Sequence, residues 1–227
     1  MQVGISISMP YIDYDKQIME EISKSFKTLQ IMYSKNKLSK EDINNMKILL
    51  SPFKNIFIHA SYLINIGADL LASQSDFYSA GLDILIDEII YSTKLSASGI
   101  VLHLGKNVKN QYDNNQVFNN MVKFIINLFN KLRKKNILIN LLLETPANQK
   151  GDMCANLHDF VNFIQLFEKT WFYTYINICI DTCHIFQAGY DLNNPSVIKN
   201  IHNIFKPVIH KIKLIHLNDS KLPYGSG

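Results

Sequence analysis

Cysteine is scarce. Three residues, Cys154, Cys179 and Cys183, in a chain of 227 are too few, and odd in number, for a disulfide scaffold. The expectation is a reducing, intracellular setting. No basic-then-apolar N-terminus with a small-residue cleavage site is present, which argues against secretion. No apolar run is long enough to span a bilayer, so no membrane partner is expected. No low-complexity linker interrupts the chain, and no Gly-x-Gly-x-x-Gly follows the first apolar run, which weakens a dinucleotide-binding reading. Charge is sparse as well. Charged residues make up 19% against 47% hydrophobic, the balance of a globular chain with a sizeable core and not of a disordered one. A net charge of +4 permits a polyanionic partner such as DNA without establishing one.

What is present is alternation. Short apolar runs at Val3–Ser8, Thr28–Tyr33, Asn55–Ile58, Gly99–Leu102, Ile137–Leu143, Tyr175–Ile180 and Lys211–Ile215 read as seven strands. Amphipathic stretches separate them, starting near Asp15 and running from Ser39 to Pro52, Ser75 to Leu95, Asn115 to Lys135, Leu157 to Lys169 and Pro195 to Phe205. Ser39-Lys-Glu-Asp42 reads as a capping box. Ile137–Leu143 is apolar enough to predict burial on both faces. Strand–helix alternation predicts a parallel α/β sheet covered by helices, either open and doubly wound or closed as a TIM-type (β/α)8 barrel.

The ends of the strands favour the barrel. Five successive apolar runs lead into His59, His103, Glu144, Asp181 and His216, at intervals compatible with one β/α unit each. In a barrel all five would converge on the C-terminal rim, where barrel enzymes carry their chemistry. His184 follows three residues after Asp181 and can join from the next loop. Imidazole with carboxylate suits Zn²⁺, with Mn²⁺ or Fe²⁺ as alternatives. Six such residues exceed the needs of one tetrahedral ion, and Glu144, on the central strand, is the natural bridge of a cluster. Such a cluster activates water and clamps phosphoryl oxygens, the machinery of phosphodiester hydrolysis. Taken singly, each histidine is as well explained as a hydrogen-bonded rim residue, and each carboxylate as a helix cap; the joint pattern carries the reading. His158, His202 and His210 fall on helix surfaces or ends, and Cys183 reads as packing.

The stretches His59-Ala-Ser-Tyr-Leu-Ile-Asn65, Cys179-Ile-Asp-Thr-Cys-His184 with Ala188-Gly-Tyr-Asp191, and His216-Leu-Asn-Asp-Ser-Lys221 resemble endonuclease IV, the metal-dependent apurinic/apyrimidinic endonuclease family. The resemblance covers roughly Ile56–Gly227. It implies a single xylose isomerase-like barrel domain over residues 1–227 and a trinuclear zinc site. His59, His103 and Glu144 would hold one ion, Glu144, Asp181 and His216 a second, and His184 would contribute to a third. Abasic sites in double-stranded DNA would be the substrate, cut on their 5′ side in base-excision repair. Tyr62 and Leu63 would wedge into the base stack and Lys221 would contact phosphate. For Tyr62 packing against the barrel top, and for Lys221 ordinary solvation, are the competing readings.

The sequence departs from the family pattern at Ser6-Ile-Ser8, at His103-Leu-Gly105 and at Glu144-Thr-Pro-Ala147. The loop that would insert a basic residue into DNA is short, with Lys37 as its candidate. The resemblance breaks off at Tyr224-Gly-Ser-Gly227, before an Asp-x-His pair and a later glutamate that the family supplies. On that reckoning only one zinc site is complete and the last β/α unit is missing, which would leave two strand edges unpaired. A monomer is expected, with a complementing C-terminal chain as the alternative. Two other functions remain open: a divalent-metal sugar isomerase or epimerase, and a non-catalytic DNA-binding remnant.

Overall fold

A computed structural model of the protein describes residues 2–7, 16–32, 39–70, 80–108 and 113–227. Seven strands form one parallel sheet in chain order: β1 (Gly4–Ile7), β2 (Thr28–Met32), β3 (Asn55–His59), β4 (Gly99–His103), β5 (Leu141–Glu144), β6 (Ile176–Asp181) and β7 (Ile212–His216). The helices are α1 (Lys16–Ser25), α2 (Lys40–Leu50), α3 (Leu82–Lys94), α4 (Asn114–Lys134), α5 (Leu157–Gln165), α6 (Thr182–Gln187) and α7 (Pro195–Phe205). The sheet is curled. β2 and β7 are five strand spacings apart, roughly 24 Å if the sheet were flat, yet Gln30 Oε1 on β2 lies 2.7 Å from His216 Nε2 on β7. Among the described residues this is a TIM-barrel-like half-barrel, one β/α unit short of eight. Among the described residues β1 and β7 are each paired on one side only, and no helix is long and apolar enough to cross a membrane.

The pleat sorts the inward side chains into tiers, because strand register places residues two apart on the same face. Asn55, Asn140 and Asn177 lie at one end, with Asn177 Nδ2 donating to Asn140 Oδ1 over 3.1 Å. A middle tier of Phe57, Val101, Leu142 and Cys179, joined by Leu214, forms a small apolar cluster inside the curl. Each next inward residue is one of the five strand-end residues: His59, His103, Glu144, Asp181 and His216. A register shift between Ile178 and Cys179 against β7 sets Asp181 opposite His216, a bulge that re-aims one strand end. The larger core lies outside the sheet, beneath the helices, and includes fully buried Phe124, Phe129, Phe160, Phe163, Phe167 and Phe205.

Local signals explain most element boundaries. Ser39 Oγ accepts from Asp42 N (3.1 Å) and Asp42 Oδ2 from Ser39 N (2.8 Å), which is the expected capping box. α4 buries Val117, Met121, Phe124, Ile125, Leu128, Phe129 and Leu132, with Phe118 and Val122 on the flank of the stripe and not at its centre. The three-cation run Arg133–Lys135 is exposed, and Arg133 sits over Trp171.

Four expectations need correction. α3 begins at Leu82, because Gly81 just before it takes a left-handed φ of 67°; residues 75–79 lie outside the described set, as do Ser8, Asp15, Tyr33 and Lys37. β5 begins only at Leu141: Asn136 ends α4 in a left-handed conformation, and the next residues climb back to the sheet with Leu138 half exposed. Only the Leu141–Leu143 part of that run is buried on both faces. α5 stops at Gln165, short of Lys169. Residues after Asp181 form a short helix, α6, and not a loop.

Two contacts hold the rim loops after β3 and β4. Asn65 Oδ1 accepts from Gly67 N (3.0 Å) and Lys106 N (2.8 Å), and its amide donates to Lys106 O (2.9 Å). That stitch draws the two backbones so close that a Cβ on Gly105 would stand 2.6 Å from Gly67 N and 2.7 Å from Gly67 Cα. Neither is a flexible atom, so Gly105→Ala should lower the unfolding free energy by about 1–3 kcal/mol in urea denaturation. The second contact is a buried carboxylate. Glu88 of α3 is fully buried; its Oε2 accepts from Ser61 N over 3.1 Å, and its Oε1 has no partner. Burial pushes its pKa up to about 7 from the ordinary 4.5. Below 4.5 the carboxyl is protonated whether the chain is folded or not. Above 7 the folded protein must carry a buried charge, so stability falls as pH rises through that window, by about 3 kcal/mol for this group. Glu88→Gln should therefore gain on the wild type between pH 4.5 and 8 in urea midpoints; a pH-independent difference would contradict it.

Candidate metal centre

The strand ends converge on one carboxylate. Glu144 is 2% exposed. His59 Nε2 lies 3.2 Å and His103 Nε2 3.0 Å from its Oε2; His216 Nδ1 lies 3.0 Å and His184 Nδ1 3.5 Å from its Oε1. Burial alone would favour the neutral acid. The hydrogen bonds from His103, His216 and His59 outweigh it and hold the carboxyl well below the ordinary range. Burial likewise opposes charge on His216, but bonds to Asp181, Cys179 and Glu144 prevail and push its pKa up to about 12. A cation can replace these protons, because imidazole and carboxylate bind a metal only when deprotonated.

Asp181 does two jobs that the sequence presents as alternatives. Its Oδ1 caps α6 by accepting from His184 N at 3.0 Å. Its Oδ2 lies 3.5 Å from His216 Nδ1 and accepts from Asn218 Nδ2 at 2.6 Å. Three donor groups are close enough to share one ion each: His59, His103 and Glu144; Glu144, Asp181 and His184; and Glu144, Cys179 and His216. The donor set fits a divalent metal of the zinc or manganese type. All six ligand candidates from the strand-end pattern are therefore brought together, with Glu144 common to every group. The third group brings in the Cys179 thiol, whose pKa burial raises to about 11.

Tyr62 stands over this cluster. Its ring centroid lies 5.0 Å from that of His59 and 5.1 Å from that of His103, while the residue stays 58% exposed. It thus packs on the barrel top and faces solvent at once. Leu63 beside it is half-buried, and Lys221 is exposed on the loop after β7. Cys183 takes a hydrogen bond from Gln187 Nε2, and His158, His202 and His210 are exposed on or beside helices, away from the cluster.

Sequence reasoning passed over three residues that shape the site. Thr145, fully buried, accepts from Asp181 N through its hydroxyl (3.0 Å) and from His184 Nδ1 through its carbonyl (2.9 Å). Gln30 meets His216. Glu88 holds the loop that carries Tyr62. The last two had a signal: Gln30 interrupts a buried Leu29–Ile31 strand, and Glu88 falls on the buried face of α3 with Leu85, Ile89 and Ser92.

Known proteins share the family and the fold. The model of the family described as xylose isomerase-like TIM barrel matches residues 21–227. A protein of Campylobacter concisus named "Probable endonuclease 4" is 30% identical over 203 residues, which cover 87% of this chain and 68% of that protein. Relatives of the same name from Mesomycoplasma hyopneumoniae (strain J) and Sulfurihydrogenibium are 34% and 31% identical over 77% and 75% of this chain. The chain spans only 57% and 58% of those two. Solved structures share the fold: a D-tagatose 3-epimerase-like protein (TM-score 0.68, 18% identity, 96% of this chain and 76% of that one) and AsfvAP:AG (TM-score 0.66, 19% identity, 100% and 77%). At such identities the likeness is one of fold alone. The family match and the identity to the endonuclease 4 proteins lead to one conclusion: this chain belongs to the xylose isomerase-like TIM barrel family and, within it, to the endonuclease 4 group.

Proposed function

We propose that the protein is a metal-dependent nuclease that hydrolyses the phosphodiester 5′ to an abasic site in duplex DNA, as part of base-excision repair. The observation that carries the reading is the crowding of four imidazoles on buried Glu144 in a chain whose relatives are named endonuclease 4. His59, His103 and Glu144 would hold one divalent ion; Glu144, Asp181 and His216 a second; and His184 would serve a third, with zinc the preferred metal. Such ions lower the pKa of a bound water and neutralise charge on phosphoryl oxygens.

The chain's own residues supply the rest. Glu144, charged and shielded from water, orients the imidazoles around it. Asn218 and the amide of His184 hold Asp181 in place from the other side. Tyr62, with Leu63, offers an exposed ring at the rim, suited to fill a gap in a base stack and to cover an unstacked sugar. Lys221, exposed on the loop after β7, would supply a cation for a flanking phosphate. The positive net charge favours the approach of DNA.

Sugar epimerases share the fold, so the decisive substrate pair is an abasic duplex against free ketoses. With zinc supplied, the protein should nick a duplex carrying one abasic site on its 5′ side and leave ketoses unchanged. Glu144→Gln should lower nicking by at least about 10²-fold and reduce bound metal. Ketose turnover without nicking, or nicking that Glu144→Gln leaves intact, would overturn the reading.

A further inference from the structure

We infer that Gln30 is a positioning residue that decides which ring nitrogen of His216 faces the metal centre. The inference rests on His216 being a metal ligand, as proposed above. Gln30 sits in the middle tier of the sheet interior, 8% exposed, on the opposite side of the curl from β7. Its amide nitrogen donates to Ser6 Oγ over 3.3 Å. Its Oε1 is turned to His216 Nε2, at 2.7 Å. An amide oxygen only accepts, so Nε2 must carry the proton. Nδ1 is the nitrogen that faces Glu144 Oε1 at 3.0 Å and Asp181 Oδ2 at 3.5 Å, so with Nε2–H held by Gln30 it is the Nδ1 proton that a metal ion would displace.

The contrast with the other histidines makes the point specific. His59 Nδ1 is 2.8 Å from the carbonyl of Ala60, its neighbour in the chain, which turns Nε2 toward Glu144. His184 Nδ1 bonds the Thr145 carbonyl. Backbone acceptors orient those rings, and no side-chain substitution removes a carbonyl. His216 uses the opposite nitrogen and takes its orientation from a side chain five strands away. A partner of this kind typically changes metal affinity 10–100-fold when it is lost.

The test uses the full chain and zinc(II) ions. Long-range ¹⁵N–¹H NMR of the zinc-loaded wild type should show His216 protonated at Nε2 with zinc on Nδ1. Zinc on Nε2 would overturn the inference without any variant. By competition titration, Gln30→Leu should weaken one class of zinc roughly 10- to 100-fold and leave the His59–His103 class unchanged. Gln30→Glu, which keeps an acceptor, should restore it. A purely structural role would instead lower thermal stability and leave the zinc classes and the ring signature alone, which would also overturn the inference. His216→Ala separates the two readings. If it loses no zinc, His216 is not a ligand and the proposed function loses a part. If it loses zinc while Gln30→Leu does not, only the present inference fails.

Discussion

A buried carboxylate among imidazoles is the constraint around which this structure is arranged. Glu144 is all but inaccessible to water, and a charge so placed costs several kcal/mol unless it is paired and hydrogen-bonded. Here the compensation comes from three rings, on β3, β4 and β7, with the His184 ring 3.5 Å away. Each must reach the same point, so the strands that carry them must end at one height and lean inward. The apolar tier of Phe57, Val101, Leu142 and Cys179 beneath them closes off the interior from below. Glu144 and its partners thus sit on an apolar floor, where their mutual attraction is stronger than in water.

The rim is more than the ends of the strands. Asn65 joins the loops after β3 and β4. Thr145 joins the loop after β5 to Asp181 and His184. Thr182 Oγ donates to Asn218 O (2.7 Å), lies 3.2 Å from His216 O and accepts from Asn218 N, while the Asn218 side chain donates to Asp181, so the last two loops are tied as well. Loops tied to one another in this way fix the relative positions of the imidazoles and carboxylates at the rim. The Gln30–His216 contact extends the same support across the open side of the curl.

Much of this was legible in the residues. The alternation of apolar runs and amphipathic stretches located the seven described strands, and the position of His59, His103, Glu144, Asp181 and His216 at the strand ends marked the residues that converge. Those signals are strong because both faces of a central parallel strand are buried, so the first polar residue after the run marks the rim. Signals of conformation were weaker. A left-handed Gly81 delayed α3, and Asn136 with Leu138 kept β5 short, because backbone dihedrals at single residues do not register in hydrophobic periodicity. For Tyr62 the sequence allows both a wedge and a packing residue, and the structure sets its ring against two histidines while leaving the residue more than half exposed.

The sequence by itself determined the class of the fold and the identity of the converging groups, since both follow from local patterns of burial and from residue type. It could not determine which atoms meet. That Asp181 faces His216, that Glu88 supports a loop 27 residues away, and that a glutamine on the second strand meets a histidine on the seventh all depend on the tertiary arrangement of the sheet and its helices. Hydrogen bonds act over about 3 Å, and the chain segments that carry these groups are separated by tens of residues or more. Only the tertiary structure brings them within that reach.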